Sequence, residues 1–217
     1  MGLVMNERDH WESVYRSKAA TEVSWFRPKL ERSLALIASC GLGADARIVD
    51  VGGGASTLVD DLLVLGHTQL TVVDLSAEAL EVSRRRLGGA ANAVSWRADD
   101  VTQMSFEPGS IALWHDRAVF HFLVDEHVRT AYVAQTLRAV RPGGHVLLGT
   151  FAPDGPERCS GLPVVRYDAD GLARIFEAGF ALVASEREEH ATPGGSTQRF
   201  VYALLRRRGS PGEAALP

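Results

Sequence analysis

Apolar residues fall into short runs and one-faced stripes that alternate along most of the chain. "RIVDV" (Arg47 to Val51), "QLTVVDL" (Gln69 to Leu75), "AVSWRAD" (Ala93 to Asp99), "SIALWHD" (Ser110 to Asp116) and "HVLLGTF" (His145 to Phe151) predict five strands. Helical stripes lie between them. Leu58, Leu62 and Leu65 share one face of a helix over Ser56–Leu65, and Val133, Leu137 and Val140 one face of Asp125–Val140. Ser76 can cap a helix that carries Glu78 in its first turn. "RPGG" is expected to stop the helix before the fifth strand. A helix over Asp170–Ala178 buries Leu172, Ile175 and Phe176, with Gly179 closing it.

Strands separated by helices run parallel through right-handed crossovers. The final pair, "ALVASER" and "RFVYALLRR", is joined by the glycine-rich "ATPGGST", so it forms a hairpin and its last strand runs antiparallel. The pattern therefore predicts an α/β fold: a doubly wound, mainly parallel seven-stranded sheet with an antiparallel C-terminal strand. In front of it, Trp11, Val14 and Tyr15 lie at i, i+3, i+4 on a short helix. "VSWFRP" and a helix over Pro28–Ser39 follow. These aromatics either pack onto the sheet or form a lid over its carboxyl edge. The expected division is an N-terminal helical cap at 1–40, a main domain at 41–208 and a flexible tail at 209–217.

The 217 residues, 46% hydrophobic and 23% charged, have the composition of an ordinary globular domain. A net charge of −4 gives no general attraction to nucleic acid, and Arg206–Arg208 reads as a solvated strand end. Cys40 and Cys159, isolated from one another, provide neither a disulfide framework nor a metal cluster, so no metal is expected. The charged N-terminus and the lack of a run of about 20 apolar residues predict a cytoplasmic chain without a membrane partner.

The first candidate chemistry is "VDVGGGAST", where glycines follow a strand and precede a helix, bringing backbone close to a ligand. Gly52 and Gly54 fit a dinucleotide turn, but Thr57 replaces its third glycine, and no glycine-lysine phosphate loop exists. Asp74, ending the second strand, has two carboxylate oxygens for two ribose hydroxyls, and Leu75 offers an apolar wall for an adenine. Beyond the fourth strand, "LWHDRAVFHFL" gathers His115, Asp116, Arg117 and His121 among Trp114, Phe120 and Phe122. Imidazoles titrate near neutral pH, so His115 is a candidate for positioning or deprotonating a substrate, with His121 in reserve.

"VDVGGGAST", "VVDLS", "RADDVTQMSF" and "LRAVRPGGHVLL", in this order and spacing, resemble the class I S-adenosylmethionine-dependent methyltransferases. The resemblance covers Arg47 to about Phe180 and extends to the terminal hairpin. It implies a Rossmann-like fold, S-adenosyl-L-methionine as cofactor and enzymatic methyl transfer. It also implies an acidic-x-Gly-x-Gly loop of Asp50, Gly52, Gly53 and Gly54 at the cofactor's methionine part. Asp100 and Val101 would hold the adenine, with Asp99 as the competing register. Trp11, Tyr15 and Trp25 would cover the site, and His115 would border both cofactor and acceptor.

The Trp-x-Asp-Arg-like stretch behind an aromatic helix is similar to thiopurine and thiol S-methyltransferases. Protein-lysine methyltransferases carry an Asp-Lys-Gly stretch here, whereas this chain has Arg117 and Ala118. The Asn-Pro-Pro-Tyr and Asp-Pro-Pro-Tyr runs of amino-directed nucleic-acid methyltransferases do not occur. A small-molecule acceptor is expected, with protein lysine or a non-catalytic cofactor-binding module as alternatives.

Overall fold

The computed structural model describes residues 6–209; the expected tail, apart from Gly209, lies outside them. Helices α1 (Glu7–Ser17) and α2 (Glu31–Ser39) precede the alternating part. There follow β1 (Arg47–Val51), α3 (Leu58–Val64), β2 (Gln69–Asp74), α4 (Ala77–Leu87) and β3 (Val94–Ala98). The second half holds β4 (Ile111–Arg117), α5 (Glu126–Ala139), β5 (Val140–Phe151), a small β6–β7 hairpin (Arg158–Cys159, Leu162–Pro163) and α6 (Ala169–Ile175). The long hairpin β8 (Phe180–Ala191) and β9 (Thr197–Arg207) ends the fold.

The main sheet has the order β3-β2-β1-β4-β5-β9-β8. β1 to β5 are parallel, while β9 runs antiparallel to β5 and β8. This is the expected seven-stranded sheet. Strand alternation sends neighbours to opposite faces. Ile48 and Leu113 join Leu58, Leu62 and Leu36 on the side of α2 and α3, whereas Val49 and Trp114 join Tyr132 and Phe176 on the side of α5 and α6.

Several expected boundaries shift, three of them for a clear local reason. β5 begins at Val140 and includes "RPGG", because Ile111 pairs with Val140 while Leu113 pairs with His145. The extra residues form a bulge, which takes up Pro142 without a break in the strand. α6 ends at Ile175, and Gly179 does not cap it through a left-handed conformation. A Cβ on Gly179 would lie 2.2 Å from Leu137 Cδ1, so its role is close packing against α5. α3 starts at Leu58, whose N–H donates to Ser56 Oγ at 3.2 Å.

Candidate functional site

The carboxyl ends of β1, β2, β3 and β4 converge where the strand order reverses, the place in an open α/β sheet where ligands bind. A cleft opens there. Gly52, Asp74, Leu75, Asp100, Val101 and Arg117 line it from the sheet, while Trp11, Tyr15 and Trp25 line it from the N-terminal segment. A smaller recess beside it is lined by Arg27, Asp50, Gly52, Gly53, His115 and Arg117, among others.

The glycine loop is shaped by what surrounds it. Gly52 has φ of +67°, and a Cβ there would sit 2.1 Å from Val119 Cγ2. A Cβ on Gly53 would fall 2.3 Å from Asp50 Oδ2, and one on Gly54 would fall 2.4 Å from Ala79 Cβ. Gly54 lies outside both cavities; its N–H donates to Asp74 Oδ2 at 3.0 Å. Ser76 N–H donates to Asp74 Oδ1 at 2.9 Å. Burial pushes Asp74 up to about 6 despite those two backbone hydrogen bonds.

Of the four expected catalytic side chains, only Arg117 borders the main cleft. His115 is sealed, with Nδ1 donating to Asp50 Oδ1 at 2.7 Å and Nε2 meeting the Ser33 hydroxyl at 2.9 Å. Both ring nitrogens are occupied, and the imidazole reaches only the recess. Asp116 is fully buried and accepts from Val119 N–H, Phe120 N–H and the Tyr132 hydroxyl. It fixes the turn after β4. His121 is fully buried too, accepting from Phe151 N–H at Nδ1, and burial followed by the Arg117 charge lowers it to about 3. It stays neutral and structural. Asp116 and His121 alternate with cleft residues along the same turn, so proximity in sequence did not distinguish them.

Both acidic registers after β3 reach the cleft. Asp100 accepts from Thr102 and Gln103, while Asp99 accepts from Asp100 N–H. The sequence reading did not name Phe122, Val119 or Ala118 as lining residues. Ala118 has φ of +65°, a costly conformation for a residue with a side chain. Cys159 borders the cleft, and burial raises its thiol to about 11. In the same loop Arg166 pairs with Glu157, and Tyr167 joins the core.

The N-terminal helix lies directly over this region. Arg8, Trp11, Glu12 and Tyr15 recur at i, i+3, i+4, i+7 on one face. Arg8 Nη1 donates to Leu75 O at 2.7 Å, and the Glu12 carboxylate accepts from Ala77 N–H at 2.8 Å and from Ser76 Oγ at 3.3 Å. A glutamate from one helix thus caps another, a signal that local spacing cannot carry.

Among the described residues, no helix is long and apolar enough to cross a membrane. Residues 48–144 match a family model described as a methyltransferase domain. Nodulation protein S of Rhizobium tropici is 34% identical over 116 residues, covering 53% of this chain and 47% of that protein. EEF1A lysine methyltransferase 2 of Danio rerio is 22% identical over 216 residues, covering 93% of this chain and 86% of that protein. The chain spans less than half the length of several curated relatives it matches. Among solved structures, the Burkholderia thailandensis 1,6-didemethyltoxoflavin-N1-methyltransferase is similar, with a TM-score of 0.71 at 22% identity over 93% of this chain and 87% of that one. The seven-stranded sheet and the similarity of residues 48–144 to the methyltransferase-domain model give the chain the fold of the class I S-adenosylmethionine-dependent methyltransferases.

Proposed function

We propose that the chain is an S-adenosylmethionine-dependent methyltransferase acting on a small-molecule acceptor. The observation that carries the cofactor reading is the set of buried atoms around the recess that have no partner among the described residues. Asp50 Oδ2, an acceptor, and Arg27 Nε, a donor, are both left over there. An unpaired buried polar atom costs about 1–3 kcal/mol, so a ligand that satisfies both is favoured. An α-amino acid end has the complementary ammonium and carboxylate. The lack of a Cβ at Gly53 lets Asp50 Oδ2 pack against the loop that borders the recess.

In this reading Asp74 accepts from the ribose hydroxyls, Leu75 flanks the adenine, and Asp100 with Val101 N–H meets its polar edge. The cofactor supplies an activated methyl group on a sulfonium; the protein's task is alignment and exclusion of water. Trp11, Tyr15 and Trp25 would close the cleft, with residues 1–40 as the lid and 41–208 as the cofactor-binding domain. A closed, aromatic-lined cleft suits a small acceptor, a thiol or a similar nucleophile.

The long alignment with the zebrafish lysine methyltransferase favours protein lysine as the second reading. Titration calorimetry with S-adenosylhomocysteine, S-adenosylmethionine and NADH tests the first: binding of NADH alone removes it. A broad acceptor screen then separates a transferase from a silent binding module.

A further inference from the structure

The mechanism so far gives no task to Arg117, although its side chain is only 6% exposed and forms a wall common to cleft and recess. Its guanidinium is fixed from three sides. Nε donates to the Tyr202 hydroxyl at 2.9 Å, Nη1 donates to Trp25 O at 3.0 Å, and the group lies 4.4 Å from the Phe200 ring centroid. Among the described residues, Nη2 has no hydrogen-bond partner. The nearest carboxylate, Glu188 Oε2, is 3.8 Å away and accepts from Tyr202, while Arg27 holds its other oxygen. Two arginines share one carboxylate, and beside Arg27 Nε the Arg117 Nη2 remains as a rigid, buried donor.

Among the described residues, the titratable groups of the cleft offer no base beside it. Asp74 and Asp100 have both oxygens hydrogen-bonded at the ends of β2 and β3, while Asp99 holds Asp100 N–H with one oxygen and pairs with Arg97 at 3.6 Å through the other. Glu7 lies next to Arg8, whose guanidinium grips Leu75 and Ala98. Tyr15 and Cys159 line the cleft, but burial raises both, so each keeps its proton at neutral pH. An alkyl amine would arrive as an ammonium, beside a fixed cation and with no group to deprotonate it.

We infer that Arg117 receives the reacting atom of the acceptor as an anion, which makes the acceptor an acidic thiol, phenol or carboxylic acid and not an alkyl amine. This inference rests on the methyltransferase reading. The acceptor's lone pair forms the new bond to the methyl carbon, the carbon–sulfur bond breaks, and its electrons return to sulfur as a neutral thioether. No proton moves in the step. Anion and sulfonium charges cancel, and a cation that never deprotonates steadies the anion beforehand.

The test uses 4-nitrophenol, whose phenolate absorbs visible light, with protein saturated by S-adenosylhomocysteine at a pH where the probe is half ionised. The wild type is expected to raise the phenolate absorbance, and Arg117→Met to abolish the rise with about tenfold or greater loss of probe affinity. If that variant does not fold, Glu188→Gln removes the competing negative charge and is expected to enlarge the rise. An unchanged or falling absorbance with the wild type overturns the inference, as does displacement of the probe by equimolar benzylamine. So does a Glu188→Gln signal no larger than wild type. A third arm titrates S-adenosylhomocysteine and 5′-methylthioadenosine: if Arg117→Met weakens only the former, the guanidinium serves the cofactor's carboxylate and the inference falls. Failure of the wild type to bind S-adenosylhomocysteine removes the methyltransferase reading itself.

Discussion

Asp50 and His115 face one another in register on neighbouring parallel strands, and their side chains meet at 2.7 Å in the interior. The pairing leaves one Asp50 oxygen toward the glycine loop and holds the other. His115 is therefore a positioning residue for Asp50. His115→Ala should cost about 3 kcal/mol of stability through the lost hydrogen bonds and the cavity. It should also weaken S-adenosylhomocysteine binding. Ser33→Ala should do the same more mildly. Denaturant unfolding and calorimetry check both; full stability with a lost catalytic step would return His115 to the acceptor.

Asp74 makes the site sensitive to pH. Its folded value, about 6, lies above the ordinary carboxylate range, so the folded apo protein holds a proton that the unfolded chain has released. Its contribution to stability is thus most favourable at low pH and is lost as pH rises through about 6. In the proposed reading ligand binding has the opposite slope, because ribose hydroxyls would donate to the ionised form. S-adenosylhomocysteine affinity should rise by up to about tenfold per unit as pH approaches 6, then level off. Asp74→Asn should remove that dependence and weaken binding by about 1–3 kcal/mol. Asp116, also near 6, shapes the stability profile of both proteins but not the binding profile.

Helix α1 buries none of its residues fully, so its position depends on Arg8, Glu12 and the half-buried aromatics. Ser76 Oγ caps α4 through Ala79 N–H, and removing the Glu12 carboxylate takes away the second acceptor, the one that holds Ala77 N–H and the Ser76 hydroxyl, at a cost of about 0.5–2 kcal/mol. Glu12→Ala should speed dissociation of S-adenosylhomocysteine by about tenfold, read by stopped-flow fluorescence of Trp11 and Trp25. An unchanged rate would mean that the helix stays seated while ligand exchanges.

Two glycines give a matched comparison. Gly54→Ala drives a methyl group into Ala79 and Asp74, and should lower stability by about 2 kcal/mol or more together with cofactor affinity. A Cβ on Gly89 meets nothing within 4 Å, so Gly89→Ala should be close to neutral by thermal unfolding.

Hydrophobic period carried the architecture because each strand and helix buries a face that only one layering can satisfy. Positions fixed by the chain's own turns, such as Asp74 at a strand end and Gly52 in the loop, were equally readable. His115 and His121 were not, because alternation along β4 and the turn after it decides which side chain meets the cleft. That alternation is set by how the turn closes around Asp116. Nor could local spacing reveal Arg27, Glu12, Ser33 or Glu188, whose partners lie 60 or more positions away.

The cleft joins contributions of unequal origin. Asp50, the glycine loop, Asp74 and Asp100 all fall within residues 48–144, whereas Trp11, Tyr15 and Trp25 precede that segment and Cys159 follows it. Glu188 and Tyr202, from the last hairpin, reach back to hold Arg117 and Arg27. The segments on either side of residues 48–144 are thereby tied together around the mouth, while in the proposed reading the middle would carry the cofactor. Such a layout makes selectivity exchangeable: transplanting both flanks as a unit onto another core would move acceptor choice with them, whereas either flank alone would sever the Arg27–Glu188 pair and leave the entrance incomplete.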